Sequence, residues 1–214
     1  MNWDFAYLIL TGLPWTLVVT LGAFAIGLVL GMPLCAMHVS KNLVLHYLAI
    51  AIIIFLRSIP PIVWLFLLFF GLGSGIISIG AIPAAIIALG LVTAANMAEI
   101  YRGALNSIHK GQWEAITALG LPRFSSFIDV IMPQLFRVTL PSAASYLIGL
   151  LKDSAIASTV GVMDIAFLAN FVARKSFDGL APFAFAGLLY ILISIPIALI
   201  ARVTDARLRQ KVAQ

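Results

Sequence analysis

The chain has 214 residues, 63% of them hydrophobic and only 10% charged, with a mean hydropathy of +1.12. A soluble globular domain is about 45–50% apolar and about 25% charged, so 13 Lys and Arg with 8 Asp and Glu are too few to coat a water-soluble enzyme of this length. The net charge of +5 sits at the edges of apolar runs rather than on one face, which excludes a nucleic-acid-binding surface and points to membrane topology.

No charged residue occurs from Phe5 to Met37, from Ser58 to Ala98 or from Gly179 to Ala201. A helix needs roughly 20 apolar residues to cross the hydrocarbon core of a bilayer. The runs therefore predict an all-α integral membrane protein with about five spans: Trp15–Met37, Leu45–Phe70, Ile82–Tyr101, Val130–Leu151 and Ala181–Ala201. The whole chain, 1–214, reads as one membrane domain with its core at about 15–205. Its opening residues, Met1-Asn2-Trp3-Asp4-Phe5, carry an acid where a signal peptide carries bases, so the first helix is expected to be retained.

Within the first span, Gly27-Leu28-Val29-Leu30-Gly31 is a small-xxx-small pattern, suited to close helix packing or to a subunit interface. Cys35, the only cysteine, permits no intrachain disulfide and reads as a small core residue. The second and third spans are separated by Gly71-Leu72-Gly73-Ser74-Gly75 and closed at Gly80 and Pro83. Arg57 falls near mid-span if the second helix is continuous, and near the surface if Pro60-Pro61 starts a new helix. It suits either a structural partner such as Glu99 or a substrate carboxylate, whose two oxygens match the guanidinium fork. Pro60 either shapes the helix or opens backbone carbonyls to a cavity.

In the third span Glu99 lies three residues before Arg102, on the same face. That spacing predicts an intrahelical ion pair, and Asn96, one turn deeper, allows Asn96 and Glu99 to line a path together. Lys152-Asp153 close the fourth span if it starts at Pro133, and lie inside the membrane if it starts after Pro141. Trp3, Trp15 and Trp64 are candidate interfacial anchors. His38, His46 and His109 offer no metal-ligand spacing, so no metal site is expected.

Lys and Arg set the orientation. With the N-terminus outside, Lys41, Arg102, Lys110, Arg123, Arg202, Arg207, Arg209 and Lys211 mark the inner side, while only Lys152, Arg174 and Lys175 mark the outer. That bias predicts an outer N-terminus and a cytoplasmic C-terminus. It also puts Arg102–Asp129 in the cytoplasm as the longest inner connection. A short helix is expected there, with Gly111 as N-cap, Glu114 near its positive end, and Gly120 as a left-handed stop before Pro122. Trp113, Ile116 and Leu119–Leu121 form one apolar face, which suits an interfacial connector or a docking helix.

The residues of this loop resemble a family signature. Glu114-Ala115, Gly120, Val130 and Met132-Pro133 are similar to the cytoplasmic Glu-Ala-Ala, three residues, Gly, nine residues, Ile, one residue, Leu-Pro pattern of ABC importer permeases. Flanking segments resemble the polar-amino-acid branch: Arg57-Ser58-Ile59-Pro60, Ala98-Glu99-Ile100-Tyr101-Arg102-Gly103-Ala104, Pro133-Gln134-Leu135-Phe136-Arg137 and Lys152-Asp153-Ser154. Asn96-Met97 and Tyr146 depart from it, where the family often has Ala-Tyr and Asn.

The resemblance implies a permease of a bacterial inner-membrane importer that forms the path for a polar amino acid. It implies a second permease chain, a docked pair of ABC ATPases and an extracytoplasmic solute-binding protein. Gly111, Glu114, Ala115, Leu119 and Gly120 would then belong to a coupling helix seated on the ATPase. Arg57, Pro60, Asn96, Glu99, Lys152 and Asp153 are the candidate path residues. No G-x-x-x-x-G-K-[ST] occurs, so this chain is expected to have no catalytic residue and no cofactor, with ATP and Mg bound by the partner. Two other classes fit worse. An ion-coupled transporter or channel needs acids deep in its spans, and only Glu99 qualifies. An intramembrane enzyme needs a nucleophile with His, or an acidic metal cluster, inside the bilayer.

Overall fold

The apolar runs fold as helices joined by short breaks, and no strand occurs among the described residues, 3–72 and 79–210, of this computed structural model. Gly73-Ser74-Gly75 of the expected turn, and Lys211, lie outside the described residues. Helices α1 (Trp3–Leu10) and α2 (Leu13–His38) make one apolar stretch from Asp4 to His38. Pro14 sits in the first turn of α2, where a missing N–H leaves no bond unmade.

Helix α3 (Leu43–Ser58) begins at Asn42, whose Oδ1 accepts from the Val44 N–H at 2.9 Å. It stops at Pro60-Pro61 because the residue before a proline is forced out of the helical region; Ile59 is extended at φ −97°, ψ 128°. Helix α4 (Pro61–Phe66) then leaves at 93° and runs on as a π-turn over Leu67–Leu72. Trp64 Nε1 donates to the Leu56 carbonyl at 3.2 Å, so the break does not strand that acceptor in an apolar setting. The second predicted span is thus a broken one.

Helix α5 (Ala81–Asn106) is the centre of the bundle: 61% of its most apolar stretch is buried, against 11% for the last helix. It runs parallel to α2 at very close range, because α2 offers glycines where α5 presses. A Cβ on Gly27 would run into the Thr93 side chain, and one on Gly31 would lie 2.8 Å from Met97 Cβ. On the opposing surface, a Cβ on Gly90 would lie 2.8 Å from Ile26. The Gly27–Gly31 pattern therefore serves packing within the chain. Cys35 is buried beside it, as expected.

Helix α6 (Lys110–Ala118) follows, then the single turn α7 (Arg123–Ser125), a π-turn at Ser126–Ile131, and α8 (Met132–Asp153). Helix α8 continues as a tight 3₁₀ segment, Ser154–Val160, and turns at Gly161 (φ +90°). Helix α9 (Ile165–Ser176) departs at 55°, and α10 (Leu180–Gln210) returns along α8.

Among the described residues three helical stretches are long and apolar enough to cross a membrane, and up to five if each bent pair counts as one span. The chain is a multi-pass membrane protein. Helix α9 falls in a segment where no helix was expected. Its Asp164 cap, with Oδ1 accepting from the Phe167 N–H at 2.7 Å, is followed by buried Ile165, Leu168, Ala169 and Val172, a helical spacing that the sequence does carry.

Candidate functional site

Two groups of residues stand apart from the apolar packing: the exposed helix α6, and a set of polar side chains inside the bundle.

Helix α6 has no buried residue, and Glu114 and Ala115 are exposed. Its N-cap is His109, not Gly111 as the spacing suggested. His109 Nδ1 accepts from the Gly111 N–H at 3.1 Å, a bond that glycine has no side chain to make. The helix accordingly starts at Lys110, and Glu114 falls in its second turn rather than its first. The stop is as expected. Gly120 takes φ +61°, its N–H reaches the Thr117 carbonyl at 3.2 Å, and the Leu121 N–H reaches Ile116 at 3.2 Å. This pair of bonds satisfies the last carbonyls and holds the reversal shut.

Both ends of α6 are anchored by short links. Behind it, α5 runs helically to Asn106. Ahead, Ser126 Oγ donates to the Pro122 carbonyl at 2.8 Å, and Gln134 Nε2 on α8 reaches Gln112 Oε1 at 3.4 Å. The expected long connection is therefore mostly helical, with α5 and the approach to α8 taking up its ends. Trp113, Ile116, Gly120 and Leu121 face a groove of about 880 Å³ closed by Phe127 and Lys41. Trp113 remains 43% exposed and Leu119 73%, so part of the apolar face has no cover within this chain.

Inside the bundle, Asn96 and Thr93 on α5 meet Tyr146 on α8. Asn96 Nδ2 donates to the Val92 carbonyl at 2.8 Å and approaches Tyr146 Oη at 3.4 Å; Tyr146 Oη reaches Thr93 Oγ1 at 3.3 Å. Thr93, Asn96 and Tyr146 thus form one polar cluster between α5 and α8. Sequence reasoning noted Tyr146 only as a departure and did not see Thr93, a hydroxyl easily taken for helix packing.

Arg57, Pro60, Lys152 and Asp153 are exposed on this chain, and among the described residues Arg57, Lys152 and Asp153 form no ion pair. Lys152 lies on a groove between α8 and α10 lined by Ile148, Tyr190 and Ser194. Glu99 does not pair with Arg57. Its Oε2 accepts from Arg102 Nη2 at 2.7 Å, giving the expected intrahelical pair, and its Oε1 lies 3.1 Å from His38 Nδ1 on α2.

Residues 23–210 match the family described as binding-protein-dependent transport system inner membrane component. The chain is 34% identical over 187 residues to a probable amino-acid ABC transporter permease of Bacillus subtilis (strain 168), covering 87% of this chain and 82% of that one. It is 32% identical over 216 residues to an arginine transport system permease of the same organism, covering 98% and 99%. It is 34% identical over 195 residues to a putative glutamine transport system permease of Rickettsia typhi (strain ATCC VR-144 / Wilmington), covering 90% and 89%. A solved crystal structure of an amino acid ABC transporter with histidines contains a chain that superposes with a TM-score of 0.88 at 27% identity, covering 95% of each.

Proposed function

We propose that this chain, which belongs to the family of binding-protein-dependent transport system inner-membrane components, forms half of a bacterial inner-membrane path for a polar amino acid. A second permease chain of the same or a homologous kind completes the path. The five spans, counted with both bent pairs, run from an outer N-terminus to a cytoplasmic C-terminus. An external solute-binding protein delivers the amino acid, and a docked pair of ABC ATPases binds ATP and Mg and supplies the energy.

The observation that carries this reading is α6. It has no buried residue, is fixed at both ends by side-chain and backbone bonds, and is inserted between two membrane helices. Such an element transmits a displacement without unravelling. Glu114, Ala115 and Leu119 on its surface make the contact with the ATPase, with Gly111 and Gly120 shaping its ends. A push on α6 reaches α5 and α8 directly, and between those helices lie Asn96, Thr93 and Tyr146. Alternating access then follows from one bundle moving against the other. Arg57, Pro60 and Asp153, exposed on this chain, line the path, with Lys152 at its rim and Glu99 at its inner end.

The test is coexpression with the cognate ATPase and a Glu114→Arg variant. The variant should insert normally, fail to retain the ATPase and lose uptake. Uptake at the wild-type level would refute the assignment of α6.

A further inference from the structure

The polar contacts around Glu99 join three helices at the α6 end of the bundle, and their strengths are unequal. Toward Arg102, on its own helix, Glu99 makes three bonds: Nη2 to Oε2 at 2.7 Å, and Nε to each oxygen at 3.2 Å. Toward α2 it has a single approach, with Oε1 3.1 Å from His38 Nδ1 but without hydrogen-bond alignment. His38 is the last residue of α2. Its backbone carbonyl in turn accepts from His46 Nδ1 of α3 at 2.5 Å, and the two rings lie 5.3 Å apart. The path Arg102–Glu99–His38–His46 therefore passes from α5 through α2 to α3.

Its direction matters because of what it connects. Helix α5 leads into α6, and α2 is locked to α5 by Gly27, Gly31 and Gly90, so α2 and α5 move as one body. Helix α3 is not interlocked in that way: its residues from Leu43 to Leu48 are exposed apart from the half-buried His46. Yet α3 carries Arg57 in its last turn, just before the 93° break at Pro60.

We infer that Glu99, His38 and His46 are positioning residues that carry the displacement of α6 into α3 and so set where Arg57 stands in the path. This rests on the importer reading above. The triple bond set to Arg102 holds the Glu99 carboxylate in place, and the His38 carbonyl bond hands the motion on.

The experiment uses the complex with the ATPase in lipid nanodiscs and reads ATP turnover stimulated by the loaded binding protein, together with assembly yield. Glu99→Gln and His38→Ala should assemble and each lose roughly three- to tenfold in stimulated turnover. The double variant should lose no more than the stronger single variant, because both break one chain of contacts. His38→Gln, which still donates toward Glu99, should restore most of the loss. Wild-type stimulation in both single variants, or fully additive losses, would overturn the relay.

If Glu99→Gln fails to assemble, His46→Phe decides, because it keeps the Glu99–Arg102 pair and the ring packing. The same loss at normal assembly supports the relay, and unchanged turnover refutes it. A wild-type complex that the binding protein does not stimulate defeats the importer reading itself, and the relay with it.

Discussion

Gly120 gives the sharpest test of how α6 works. Its φ of +61° is open to glycine and, at small cost, to asparagine, but a β-branched side chain is strained there. Outside its two chain neighbours no heavy atom lies within 4 Å of the position its Cβ would take, so the first carbon of a side chain meets no clash. The main intramolecular cost is then that of the backbone, about 1–2 kcal/mol for the left-handed conformation. That lowers the ratio of closed to open turns roughly five- to thirtyfold, the closed form holding both bonds, Gly120 N–H to Thr117 and Leu121 N–H to Ile116. Gly120→Val should weaken ATPase binding by up to that factor, measured by biolayer interferometry on the permease in nanodiscs. Gly120→Asn should stay within about threefold of wild type, because asparagine tolerates this conformation. Wild-type affinity in the valine variant would refute the argument. Equal losses in both variants would also refute it, because the ATPase would then be sensing the added side chain and not the turn.

Substitutions at four other positions test the same geometry. Gly27→Ala places a methyl group against Thr93 and should lower the thermal midpoint in detergent by an overpacking cost of about 1–3 kcal/mol. Gly187→Ala, with open space around its Cβ, should be neutral or stabilising by up to about 1 kcal/mol in the same measurement. Asp164→Ala removes the α9 cap and should cost about 1 kcal/mol of stability in thermal unfolding. Asp164→Asn keeps an oxygen for Phe167 and removes a buried charge whose Oδ2 has no partner, so it should be at least as stable as wild type. Arg57→Ala should assemble normally, because Arg57 holds no ion pair among the described residues, while uptake falls; failed insertion would assign Arg57 a structural role instead.

Much of the fold was legible because membrane helices announce themselves by length and charge. A run such as Gly179–Ala201 has only one way to satisfy its backbone in lipid. The stop at Gly120 and the Glu99–Arg102 pair were also legible, since both depend on neighbours within one helical turn. The N-cap of α6 was misplaced by two residues, because His109 caps through a ring nitrogen and not through one of the usual hydroxyl or carboxylate oxygens. Helix α9 was missed because its apolar spacing is shorter than a span and is overshadowed by the long runs beside it.

Local information also leaves partners across the bundle unassigned. Glu99 was open to Arg57, Arg102 or the path. Only the register between α2 and α5, set by glycines meeting Thr93 and Met97, brings His38 within 3.1 Å of it. Thr93, Asn96 and Tyr146 meet for the same reason, across a chain separation that no periodicity encodes. The sequence by itself determined that this chain is an all-helical membrane protein and where its exposed helix α6 stops, because these follow from composition and from bonds within a turn. The tertiary structure alone decided which polar groups face one another, because that depends on how closely two helices approach, and here the glycines of α2 and α5 set the distance.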